Sequence, residues 1–129
     1  MEKLSVTITE QPGLNATLFS LTGAVDVFSY KDLKSAFDTW SAAPHPPTIM
    51  LDMSGVSYVG SSGWSVLFLQ TATQEKEGGA LVLFGMNERV DRSLNIIMPR
   101  KRHVNVAPDF EAAKGVLETL KNSAQAAQT

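Results

Sequence analysis

Residues Gly60-Ser61-Ser62-Gly63 set two adjacent hydroxyls between two glycines, directly ahead of the apolar run Trp64-Ser65-Val66-Leu67-Phe68-Leu69. The glycines free the backbone for a tight turn, and the run that follows reads as a helix whose first N–H groups lack partners within the helix. Hydroxyls at such a place can cap the helix, help to bind an anion, or accept a phosphate. Losing an N-cap costs on the order of 1 kcal/mol, so capping alone would account for either serine.

Other residues offer less chemistry. Asp26 follows Gly23 closely, as an Asx-turn residue does, or else it hydrogen-bonds the serine loop or a partner. Asp52 closes an apolar run and reads as a structural turn residue. Trp64 at an amphipathic position usually packs in a core. Beside the serine loop it is expected instead to be an exposed interface anchor, since Trp is enriched at binding hot spots. Arg100-Lys101-Arg102-His103 is a basic run that reads as a solvated turn, weak evidence for nucleic acid on a chain of net charge -2.

Enzyme signatures are lacking. His45 sits among prolines and His103 in the basic run, so no helical pair of histidines offers a metal site. The residue two places after Ser62 is Trp64, which breaks the Gly-x-Ser-x-Gly nucleophile elbow. No phosphate-binding loop ends in Gly-Lys-Ser/Thr.

These residues need a scaffold, and 129 residues with 43% hydrophobic content and 19% charge suffice for one packed core. The absence of cysteine excludes a disulfide framework and suits a reducing compartment. No signal-peptide core and no bilayer-length apolar stretch are evident, so a cytoplasmic protein without membrane insertion is expected.

Alternation of Leu4, Val6 and Ile8 with polar residues predicts a half-buried strand, and residues 16–21 a second one paired to it as an antiparallel hairpin. Ser29 and Asp32 read as a capping pair for a helix with Tyr30, Leu33, Phe37 and Trp40 inward. Residues 48–52 form a strand, and the serine helix runs to about Glu77 before Gly78-Gly79. Residues 80–84 read as a doubly buried strand, Asn87 as the cap of a helix, and residues 103–106 as a short edge strand. A last helix carries Phe110, Ala113, Leu117 and Leu120 inward. The expectation is an α/β fold: a mixed, mostly parallel sheet with an antiparallel edge strand and four helices, over residues 1–121, with a disordered tail over residues 122–129. Loops beyond the carboxyl ends of such strands collect functional groups, which would bring residues 23–28 beside residues 60–63.

The order of elements and the local motifs resemble the STAS domain, the fold of bacterial anti-sigma factor antagonists. Leu21-Thr22-Gly23-Ala24-Val25-Asp26 is similar to that family's Leu-Thr-Gly-x-x-Asp signature. Leu51-Asp52-Met53-Ser54-Gly55-Val56, followed by Ser61-Ser62-Gly63, is similar to its strand and phosphorylation loop, and Gly78-Gly79 also fits. The resemblance implies partner switching. An unphosphorylated antagonist binds an anti-sigma factor that is also a serine kinase, phosphorylation parts them, and a serine phosphatase resets the cycle. It places the phospho-acceptor at Ser61 and partner contacts at Gly23, Asp26, Gly60, Ser61, Ser62, Gly63 and Trp64. Two positions depart from the family pattern: Gly60 stands where an Asp usually precedes the acceptor, and Pro99 with the basic run stands where Gly-Leu usually follows the third helix.

The expected function is therefore a non-catalytic, cofactor-free interaction module, regulated by phosphorylation of Ser61. One alternative is a non-phosphorylated scaffold or accessory subunit of a stressosome-like or transporter complex. Another is a small anion- or nucleotide-binding protein using the N–H groups of residues 60–63.

Overall fold

The computed structural model describes residues 3–99 and 104–127. Strand β1 (Ser5–Gln11) turns through a short 3-10 segment (Pro12–Leu14) into β2 (Ala16–Val25), and helix α1 (Tyr30–Ser41) follows. Then come β3 (Thr48–Val59), α2 (Ser61–Lys76), β4 (Leu81–Phe84), α3 (Glu88–Ile97), β5 (Asn105–Ala107) and α4 (Phe110–Ala127). The sheet runs β1-β2-β3-β4-β5, with β1 antiparallel to β2 and every other neighbouring pair parallel. The anticipated mixed sheet with an antiparallel edge is the architecture observed.

Each face of the sheet buries its own cluster. Phe19, Leu21, Leu51 and Leu83 pack beneath Leu33, Phe37 and Trp40 of α1, Trp64 and Leu67 of α2, and Val90 and Leu94 of α3. Met50, Val82 and Phe84 face the other way onto Ala113, Phe110 and Leu117 of α4. Alternate residues of a strand point to opposite faces, so central strands covered on both sides read as continuous apolar runs. Helix α4 runs through Ala127, into the segment read from sequence as a tail.

Strand β3 is longer than the sequence pattern predicts. Its pairing with β2 slips between Ser20 and Thr22 and again between Gly23 and Ala24, each time with an extra residue on β3. These bulges convert the two-residue alternation of Leu51 and Met53 into the three-residue spacing of Met53, Val56 and Val59, all buried. The strand thereby reaches Val59 with an apolar side chain still inward. The serine loop begins one residue later.

Candidate functional site

Strands β2 and β3 end side by side, and the Gly60 N–H donates to the Val25 carbonyl at 2.8 Å, joining the two loops that follow them. At Gly63 a Cβ would come within 2.7 Å of both the Val25 carbonyl oxygen and its Cγ1, so the first turn of α2 rests directly on the end of β2. Gly23 has φ 96° and packs against the Lys3 carbonyl, where a side chain would collide with backbone. Both glycines, expected as partner contacts, are buried and act by shaping the loops.

The serines are not caps. Gly60 is the N-cap of α2, with φ -88° and ψ 178°, and Ser61 and Ser62 occupy the first two helical positions. Among the described residues no hydrogen bond engages either hydroxyl. The one contact of this kind is made by the Ser61 carbonyl, which accepts from Ser65 Oγ at 3.0 Å. Ser61 is exposed and Ser62 partly so. The capping role offered as the simplest account of these serines is thus unfilled, and Ser61 presents its oxygen to solvent without a structural duty.

Asp26 closes an Asx-turn. Its Oδ1 accepts the N–H groups of Phe28 at 2.9 Å and Ser29 at 3.1 Å. Ser29 does not cap α1 with its side chain; its hydroxyl accepts the Asp26 N–H at 3.0 Å and donates to the Ala24 carbonyl at 2.7 Å. The capping pair with Asp32 is replaced by a ring of bonds that stiffens the β2–α1 loop. That loop holds Val27 and Phe28 outward, 65% and 77% exposed.

Trp64 is the main correction at the site. It is 0% exposed, its ring stacks near Phe68, and its Nε1–H donates to Ser93 Oγ at 2.9 Å. Ser93 in turn donates to the Val59 carbonyl at 3.0 Å. The indole is therefore no surface anchor: it fills the core and locks α3 to the start of α2. The close approach allowed by Gly63 draws the first turn of α2 inward and takes Trp64 with it.

Helix α3 carries the residues that sequence reasoning missed. With Tyr58, Gly60 and Ser61 it walls a groove of about 420 Å³, to which it contributes Arg89, Arg92 and Ile96. The Arg89 guanidinium lies 5.2 Å from the centre of the Tyr58 ring, a cation–π arrangement. Arg92 reaches Glu88 at 3.4 Å. The signal was present as helical spacing: Arg89, Arg92, Ser93 and Ile96 share one face, while Glu88 and Asp91 border a separate hollow with Pro108. Asp52 does serve as a turn residue, accepting the Ser54 N–H at 2.9 Å. The basic run Arg100-Lys101-Arg102-His103 lies outside the described residues.

A family model described as the STAS domain matches residues 5–113, and the chain belongs to that family. Among solved structures it is similar to an anti-sigma factor antagonist from Mycobacterium paratuberculosis, at 18% identity and TM-score 0.73 over 90% of this chain and 95% of that one. The anti-sigma factor antagonist SpoIIAA in its unphosphorylated form is similar at 17% identity and TM-score 0.69, over 87% and 96% of the two chains. A variant of RsbS from Moorella thermoacetica gives 19% identity and TM-score 0.69, over 93% and 97%. At these identities the likeness is one of fold. Among the described residues no helix is long and apolar enough to cross a membrane.

Proposed function

We propose that this STAS domain is a partner-switching module of the anti-sigma factor antagonist kind, turned off by phosphorylation of Ser61. The observation that carries the reading is the exposed Ser61 hydroxyl, without a hydrogen bond among the described residues, on the rim of an apolar surface. Val27 and Phe28 on the adjoining loop and Tyr58 and Ile96 along the groove supply that surface. Exposed apolar groups gathered around polar ones mark interaction sites. The proposed partner is a serine kinase that is also an anti-sigma factor, with a serine phosphatase as the resetting enzyme and the cytoplasm as the setting.

The chemistry is a phosphoryl transfer. A bond forms between Ser61 Oγ and the γ-phosphorus of ATP, the bond to ADP breaks, and the hydroxyl proton passes to a base of the kinase. The helix dipole favours the added negative charge by roughly 0.3–1 kcal/mol, so the fold tolerates it. Within a docked interface the same charge, if unpaired, costs several kcal/mol, and each ~1.4 kcal/mol is tenfold in affinity. Binding falls while the domain stays folded.

Incubating the chain with the cognate kinase and ATP tests this, with the modified residue located by mass spectrometry. Phosphate is expected on Ser61 and lost in Ser61→Ala; label that persists in Ser61→Ala refutes the assignment. Ser61→Asp is expected to weaken partner binding at least about tenfold. Gly60 favours a second reading, a scaffold or accessory subunit without phosphorylation, because it removes a carboxylate from the site. Unchanged affinity in Ser61→Asp would select that one.

A further inference from the structure

We propose that Arg89 and Arg92 form a receiving site for the phosphate of phosphorylated Ser61, so that modification bridges the groove between α2 and α3 within the same chain. The inference rests on Ser61 as the acceptor and adds how the modified state is held. Both arginines border the groove that Ser61 borders, and its volume of about 420 Å³ leaves room for a phosphate between them. The two walls are tied together: Trp64 Nε1–H to Ser93 Oγ at 2.9 Å and Ser93 Oγ to the Val59 carbonyl at 3.0 Å pin α3 to the strand end from which Ser61 departs. Ser93 directly follows Arg92 and lies four residues after Arg89, so the clamp acts next to the turn that carries them.

Among the described residues, the charges facing this point are few. Helix α2 has no acidic residue in its first turn, and Gly60 brings none. Strand β3 contributes Tyr58, whose ring lies under Arg89. In the β2–α1 loop, the Asp26 Oδ1 is engaged by Phe28 and Ser29. On α3 Glu88 meets Arg92 at 3.4 Å with both side chains largely exposed, a pair a dianion can displace, and Asp91 borders the separate hollow with Pro108. Arginine suits the task because its planar fork matches phosphate oxygens bidentately. A phosphate so held covers the groove and neutralises the two cations that an acidic partner would meet, so one modification removes both shape and charge from the docking surface.

The test installs phosphoserine at position 61 of the full chain by genetic encoding, which needs no kinase. The phosphate is then titrated by phosphorus NMR alongside the Arg89→Gln/Arg92→Gln chain. Its second ionisation, ordinarily near ~6, is expected at lower pH with the arginines present, by roughly half a unit to one unit, and to return on their removal. Adding Glu88→Gln to both chains removes the repulsion that an unpaired Glu88 would exert. The Nε–H signals of Arg89 and Arg92 are expected to move on phosphorylation. Coincident midpoints in the two Glu88→Gln chains, with arginine signals unmoved, overturn the receiving site. A kinase that modifies Ser61 alongside that result leaves the switch standing and the capture refuted; capture in a chain no kinase modifies does the reverse.

Discussion

The two ends of the parallel strands are built to opposite rules. At the amino-terminal end polar groups are consumed internally. Trp40 Nε1–H donates to the buried Thr17 hydroxyl at 3.1 Å, and the fully buried Gln74 donates to the Pro47 carbonyl at 2.8 Å. The Gly79 N–H donates to the Gln74 carbonyl at 2.9 Å, and His45 lies over Trp40 while reaching Glu77. At the carboxyl-terminal end the framework is equally well tied, through the Gly60 backbone to Val25 and the Trp64 side chain to Ser93, yet the serine hydroxyls and several apolar side chains face outward. One end closes the domain. The other is rigid beneath and unfinished on top, the condition of a surface kept for contact.

The largest expected effect separates what is rigid from what is presented within the carboxyl-terminal end itself. Trp64→Ala removes a buried indole and leaves Ser93 with one partner fewer, so a loss of about 3–5 kcal/mol is expected in urea unfolding. Ser61→Ala should change stability by no more than about 0.5 kcal/mol. Comparable losses in the two would mean that Ser61 is structural, and the contrast between the ends would fail. Next comes the closed end, where a Cβ on Gly79 would collide with the Pro47 carbonyl. Gly79→Ala is expected to cost about 1–3 kcal/mol while leaving partner binding through the serine loop intact.

Gly60→Asp should have a smaller effect and the opposite sign. The extended backbone at Gly60 suits any residue, and the nearest neighbour a Cβ there would meet is the Tyr58 ring, at 3.3 Å. A better cap and a less flexible unfolded chain together are worth up to about 1 kcal/mol of added stability. The carboxylate would also make the groove less cationic, so the phosphate midpoint proposed above should move up. A destabilised variant would show that Tyr58 cannot yield.

Most of the scaffold is legible in the sequence because its causes are local. The hairpin, the inward stripe of Leu33, Phe37 and Trp40, and the Asn87 cap, which accepts the Val90 N–H at 2.8 Å, follow from periodicity and side-chain chemistry within a few residues. The site is less legible because its causes are not. The bulges that carry β3 to Val59 erase the alternation by which strands are read. The burial of Trp64 depends on Gly63 fitting against Val25 and on Ser93 of a later helix waiting for the indole. Ser61 is conspicuous in the sequence, but its freedom from capping is visible only once Gly60 is seen to hold the cap position.

The smallest effect concerns pH and belongs to the closed end alone. His45 Nδ1 lies 2.7 Å from the Ala43 carbonyl oxygen and Nε2 lies 2.8 Å from Glu77 Oε1. Two acceptors facing both ring nitrogens favour the doubly protonated ring, so the Ala43 carbonyl first, and then Glu77, hold the imidazole above its ordinary 6.5, against the opposing pull of burial. A pKa raised on folding contributes stability fully below the unfolded value, and that contribution disappears as pH rises through the folded value. Stability should therefore decline modestly from about 6.5 upward, and His45→Gln should flatten that part of the profile. In proton NMR the His45 midpoint should lie above 6.5 and drop in Glu77→Gln, with the serine-loop signals unmoved across the same range. A midpoint at or below 6.5 would mean that these oxygens do not hold the charged ring, and the closed end would then be secured by packing rather than by its polar bonds.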